Sequence, residues 1–279
     1  MTTELDIGAI GPMLLVATGA LLLPLAEVVL SRQKTFLYRP VTDAWIGTVL
    51  SLSCAALLVA ALVLSVNGFA SDPRVFNLGH PMIVMDSFTY FMNGVVLLGA
   101  LVTVLISSRF LADLDVNHGE YYALLMASLL GMMFLVAATD LMMLFLSLEL
   151  MSIPIYVLAG FRRGSLRSNE AALKYFLIGS FASGILLYGS ALLYGVTGAL
   201  SFREIAAGFD PENPLAVLGA GLVLVGLAFK IASVPFHQWA PDVYEGSPST
   251  VSGFMATTVM VAAFGTLLRV IGIDRKSVV

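Results

Sequence analysis

The stretch LMMLFLSLELMSIPIYVLAGF, residues 141–161, decides the fold. It is apolar over the roughly 20 residues that a helix needs to cross a hydrocarbon core, and it carries one acid, Glu149, near its middle. Helix or closed barrel are the two ways a chain can satisfy its backbone in lipid, and a continuously apolar run lacks the alternation of a barrel strand. The rest of the chain sets the solvent. Of 279 residues, 59% are hydrophobic and 11% charged, against about 25% charged in water-soluble domains. Mean hydropathy is +0.95. A soluble protein of this composition could not cover its surface with polar groups.

Outward from residues 141–161, the same hydropathy recurs. Candidate spans lie near 7–30, 43–66, 82–107, 119–138, 140–161, 169–197, 214–235 and 250–271. The fold class is therefore all-α, a polytopic transmembrane bundle of about eight helices. Thr139–Asp140 is a very tight turn between two spans, since one helix over both would be too long to cross once. The first residues carry Glu4 and Asp6 with no basic residue, the reverse of a secretory signal, so the first span is expected to be retained. Cys54 is the single cysteine, which excludes a disulfide framework or a Cys-ligated cluster within the chain. No glycine-rich phosphate loop is present, and no span holds a histidine pair for haem. A redox cofactor in this chain, a metal site and a nucleic-acid partner are not expected.

Loop charges give orientation. Arg32, Lys34 and Arg39, then Arg109 with Asp113 and Asp115, then Arg162, Arg163 and Arg167 fall in alternate connections. The connections between them hold Arg74 and Arg203 among Asp72, Glu204, Asp210 and Glu212. The bias puts the basic loops in the cytoplasm or matrix and the N-terminus outside. Arg269, Arg275 and Lys276, after the last span, run against it.

Ionisable groups at membrane depth cost at least ~2.5–3.5 kcal/mol and are functional candidates by default. Glu149 lies nine residues past Asp140, roughly 14 Å in; it is either a functional carboxylate or a protonated acid that packs helices. Lys230, in GLVLVGLAFKIASVPF, either serves the interior or snorkels to the interface. Its side chain tilts toward the start of its helix, back toward the midplane. Lys174 lies close to its helix start and has the same two readings. Asp86 and Glu27 lie near span ends. Pro235 removes a backbone donor five residues after Lys230, so regular helix should stop between Ile231 and Pro235. His237 beyond it is either a proton relay or a solvated loop histidine.

The segment KIASVPFHQWAPDVYEGSPSTV, residues 230–251, resembles the membrane subunit N of bacterial proton-pumping NADH:quinone oxidoreductases, respiratory complex I, within a superfamily that includes the Mrp-type cation/proton antiporters. LSLELMSIPIYVLAGF (146–161) and EAALKYFLIGSFASGILLYG (170–189) carry the resemblance further. It implies a proton-translocating subunit without redox centres of its own, in an enzyme whose NADH, FMN, Fe–S clusters and quinone belong to the whole complex. Glu149, Lys174, Lys230 and His237 fall on motif positions that form the family's polar axis, and Pro235 marks its broken helix. Partners would be the other membrane and peripheral subunits, and the location a bacterial inner membrane. Residues 1–118 then form helices outside the repeat, and 119–279 the first of two antiporter-like repeats; the second is absent, as in a fragment. A further family lysine is replaced by Met260. The alternatives are an Mrp-type sodium/proton antiporter subunit and an inert membrane scaffold.

Overall fold

A computed structural model describes residues 7–32, 35–36, 39–40, 43–76, 81–114 and 118–272. The loop charges Lys34, Asp115, Arg275 and Lys276 lie outside the described residues. The long helices are α1 (Gly11–Arg32), α2 (Asp43–Gly68), α3 (Ser87–Leu114), α4 (His118–Ala137), α5 (Leu141–Ala159) and α6 (Leu166–Thr197). Then come short α7 (Phe202–Gly208), α8 (Pro214–Lys230) and short α9 (Ala240–Gly246). The last crossing runs from α10 (Ser249–Phe254) through a π-helical turn, Met255–Val259, into α11 (Met260–Gly272). Two small hairpins, β1 (Thr35–Phe36) with β2 (Arg39–Pro40) and β3 (Arg74–Phe76) with β4 (Ile83–Met85), lie in loops. Among the described residues, seven helices are long and apolar enough to cross a membrane, and α8, at 17 residues, is the shorter eighth.

Large apolar side chains such as Leu21, Leu52, Ile106 and Phe181 are exposed, which suits a surface that meets lipid rather than water. Packing is tight where glycines let backbones approach. A Cβ on Gly131 of α4 would sit 2.2 Å from the Met151 amide nitrogen of α5. One on Gly189 of α6 would sit 2.7 Å from the Gly219 carbonyl of α8.

The expected turn at Thr139–Asp140 is present and capped. The Asp140 carboxylate accepts from the Met143 amide at 2.6 Å, satisfying one orphan donor of the first turn of α5. Burial holds the Asp140 carboxyl above its ordinary range. The same turn is stitched to two other loops: Thr139 donates to the Met82 carbonyl, and Leu141 to that of Leu200, each at 3.0 Å. This is one face of the bundle. The other carries Arg162, Arg163 and Arg167 and is here called the basic face.

Helix α8 ends five residues before Pro235. A proline ring clashes with the carbonyl four residues back, here that of Ile231, so the helix must be left by then. The exit is a Schellman turn: Ala232 donates to the Phe229 carbonyl at 3.0 Å and Ser233 to that of Ala228 at 2.9 Å. Ala232 takes the left-handed conformation, φ +49°, which a Cβ makes costly by roughly 1–2 kcal/mol. Ala232→Gly should therefore raise thermal stability without moving the stop, as checked by melting of the purified protein; an unchanged or lower midpoint would contradict the account.

Candidate proton-handling site

The helix stop leaves Lys230 as the last helical residue of α8, where the partial negative charge of the C-terminus favours an ammonium. Its side chain is 2% exposed. Nζ donates to Ser152 Oγ of α5 at 2.8 Å and to the Tyr175 hydroxyl of α6 at 3.4 Å. It also lies over the Tyr156 and Tyr175 rings, 5.7 and 5.3 Å from their centroids, where the ring quadrupoles attract a cation. Trp239 stacks on Tyr175 at 4.6 Å and donates to the Phe229 carbonyl. The segment after the helix break thus closes over the lysine's hydroxyl partner.

Glu149 is half-buried, and its Oε1 finds no partner among the described residues. It makes no direct ion pair with Lys230, although their depths and motif positions suggest neighbouring helices with a direct or water-bridged contact. The reason is geometric. Helix α8 packs chiefly on α6, not on α5, and Ser152, one turn past Glu149, takes the ammonium. Glu149 remains within electrostatic reach of Lys230 and Tyr156. A small cavity opens beside the lysine between α5, α6 and α8, walled by Leu148, Tyr156, Gly179, Ser183 and Gly226. Gly179 is required there: a Cβ would fall 2.2 Å from the Tyr156 hydroxyl.

The other two motif residues lie apart from this group. The Lys174 ammonium is 41% exposed at the basic face, bound at 2.7 Å by both Glu170 and Asp242. His237 is exposed in the irregular segment between α8 and α9. Met260 begins α11, directly after the π turn. Residue-by-residue reading of charges missed Ser152, Tyr175 and Trp239. A hydroxyl one turn past a buried acid, and a tyrosine beside Lys174, were the available signals.

A second buried charge pair lies at the face opposite the basic one. Arg269 of α11 grips Asp86 at 2.8 and 3.1 Å, donates to Thr89 Oγ1 at 2.7 Å, and caps the Val136 carbonyl of α4 at 2.7 Å. Both side chains are 11% exposed, so Asp86 pairs inward rather than standing at the interface. Burial alone would raise the Asp86 carboxyl, but the Arg269 hydrogen bonds and charge, with Thr89, hold it below the usual range. Its stabilisation is thus present above the ordinary carboxylate value of ~3.9 and is lost only as pH falls through the lower folded value.

Fold and site together define a polytopic helical membrane protein with a buried lysine at a helix break. The chain matches the family model for NADH:quinone oxidoreductase/Mrp antiporter transmembrane proteins over residues 138–278, and it belongs to that family. It is 44% identical to NADH-quinone oxidoreductase subunit N 1 of Sorangium cellulosum across 94% of this chain and 53% of that one. A chain of respiratory complex I from Thermus thermophilus superposes with a TM-score of 0.74 at 36% identity, covering 92% of this chain and 52% of that one. A chain of the Mrp complex from Dietzia superposes with a TM-score of 0.72 at 26% identity, covering 92% and 47%. The chain spans about half the length of the curated relatives it matches.

Proposed function

We propose that this chain is a proton-translocating membrane subunit of an NADH:quinone oxidoreductase, the counterpart of subunit N. The observation that supports it best is the buried Lys230 ammonium, held by two hydroxyls at a helix break with Glu149 within electrostatic reach. Removing an ammonium from water is costly, and a nearby carboxylate offsets that cost. Lys230 then holds its proton while Glu149 is charged and close, and releases it toward the hydroxyls when the local field changes. Electron transfer stays in other subunits, which hold the FMN, Fe–S clusters and quinone site; this chain contributes no redox group. Residues 119–279 act as the first antiporter-like repeat, and residues 1–118 flank it.

The location is a bacterial inner membrane, with the basic face in the cytoplasm and the N-terminus outside. Cysteines placed at Gly164 and Glu212, with Cys54 replaced, should label from the cytoplasmic and outer sides respectively; the reverse pattern would overturn the orientation. The functional test is NADH-driven proton uptake by inverted vesicles, normalised to assembled complex, in Glu149→Gln and wild type. Strong loss is expected, since an amide cannot offset the ammonium. Wild-type uptake would remove Glu149 from the mechanism.

The likeness to the Mrp chain keeps a sodium/proton antiporter subunit as the second reading. The relatives named as subunit N favour the first. Sodium-independent pumping would separate the two.

A further inference from the structure

The interface of α3, α4 and the last crossing, α10–α11, supplies none of the hydrogen-bond or ring partners of Lys230 and is polar at four levels. At the basic face, Ser107 of α3 and Thr250 of α10 both hydrogen-bond the buried Tyr121 hydroxyl of α4, at 2.8 and 3.1 Å. At the opposite face stands the Asp86–Thr89–Arg269 cluster. Between them, Ser128 of α4 is fully buried, and its hydroxyl has no partner among the described residues. Thr258 of the π turn lies at this level, close against Gly99 of α3, where a Cβ would meet its Oγ1. Nearer Arg269, Asn93 is fully buried, and neither its amide nitrogen nor its oxygen has a partner among the described residues.

These groups share one seam. Asn93 is one turn along α3 from Thr89, which contacts Arg269, and next to Met92, which abuts Gly265 of α11. Ser128 is two turns along α4 from Tyr121 and two turns before Val136, whose carbonyl takes Arg269. Residues so spaced lie on the same helix face. The first three levels are roughly 10 Å apart by helix rise, a gap spanned by about three waters at roughly 2.8 Å spacing; Asn93 lies one turn, about 6 Å, from Thr89 of the last level. A buried amide that makes no protein hydrogen bond is costly unless water satisfies it, and polar buried sites of this kind hold ordered water.

We infer that this seam is a second proton file, hydrated from Tyr121 through Ser128 and Asn93 and closed at its far end by the Arg269–Asp86 pair. It rests on the reading of this chain as a proton-translocating subunit, but it does not use Lys230. The guanidinium is the barrier: a fixed positive charge repels an excess proton, and its bonds to Asp86, Thr89 and the Val136 carbonyl tie the ends of three helices together. The file would give this chain, with Met260 in place of an ionisable group, a polar route that needs no lysine in the last crossing.

The test is passive proton entry into vesicles holding the assembled complex, driven by a potassium diffusion potential and read with an internal pH dye without NADH. Arg269→Gln should raise entry roughly tenfold, the factor that removing about 1.4 kcal/mol of barrier gives. Adding Asn93→Leu should return entry to the wild-type rate. Adding Lys230→Met instead should leave the leak unchanged. If Arg269→Gln fails to assemble, Arg269→Met combined with Asp86→Asn serves, since it also removes the guanidinium and leaves no carboxylate unpaired, with the same expectation. No leak in an assembled variant, a leak that Asn93→Leu does not block, or one that Lys230→Met abolishes would each overturn the file. An experimental map at water-resolving quality should show water within hydrogen-bond distance of the Asn93 amide; a dry amide there overturns it as well. Because no NADH is present, these results stand apart from the pumping assay, whose failure would count against the proposed function.

Discussion

Lys230→Met should cut NADH-driven proton uptake by more than about tenfold per assembled complex, a change of about 1.4 kcal/mol or more in effective barrier. Methionine matches the length of the lysine stem and leaves the packing on Tyr156 and Tyr175 largely intact, so the loss would report charge rather than a cavity. It also removes the donor to Ser152 Oγ, but that hydroxyl already donates to the Leu148 carbonyl and so retains a partner. Lys230→Arg should keep part of the uptake if the group acts through its charge, since arginine holds its proton throughout. It should keep none if the lysine itself hands a proton on. Ser152→Ala should fall between wild type and Lys230→Met, because Tyr175 still accepts from the ammonium. Wild-type uptake in Lys230→Met, with normal assembly, would sink the role of the buried lysine.

Much of this arrangement was legible in the sequence. The long apolar helices, seven among the described residues with the shorter α8, follow from composition and span length, the capped turn from Asp140 between two apolar runs, and the helix stop from Pro235. The stop comes at the near limit of the expected interval because the proline acts on the carbonyl of Ile231, which fixes Lys230 as the terminal helical residue. What the sequence could not supply was azimuth. Glu149 and Lys230 have compatible depths, yet α6 is the main packing partner of α8, and a serine rather than the acid meets the ammonium. Continuously apolar helices have no polar side to show which face is inward, so neighbour identity was hidden. The same gap hid the Asp86–Arg269 pair: each charge sits near the end of a span, where an exposed and a paired group look alike in sequence. Lys174 and His237 show the converse. Their motif positions suggested interior roles, but a lysine two turns into α6 reaches Glu170 and Asp242 at the membrane edge, and a histidine past the break stays outside the cluster.

The position of α5 rests on one glycine, and Gly131→Val should therefore be among the most damaging single changes in the chain. A Cβ at Gly131 would lie 2.2 Å from the Met151 amide nitrogen and 2.6 Å from its Cα. These are backbone atoms of a helix, so no rotamer change relieves the clash, and α5 must move away from α4 as a unit. Overpacking of this kind costs about 1–3 kcal/mol in well-packed interiors. Here the displacement also carries function, because Met151 lies between Glu149 and Ser152 on the same helix. A shift there withdraws the carboxylate and the hydroxyl from Lys230 together. Gly131→Ala, with the smallest possible Cβ group, should assemble at reduced level and pump less per complex. Gly131→Val should leave little assembled complex in the membrane, as measured by native gel and NADH oxidation. Trimming the Met151 side chain to alanine should not restore assembly, because the atoms that clash are its backbone nitrogen and Cα. Normal assembly and pumping with Gly131→Val would mean that the close approach of α4 and α5 does not set the placement of Glu149 and Ser152.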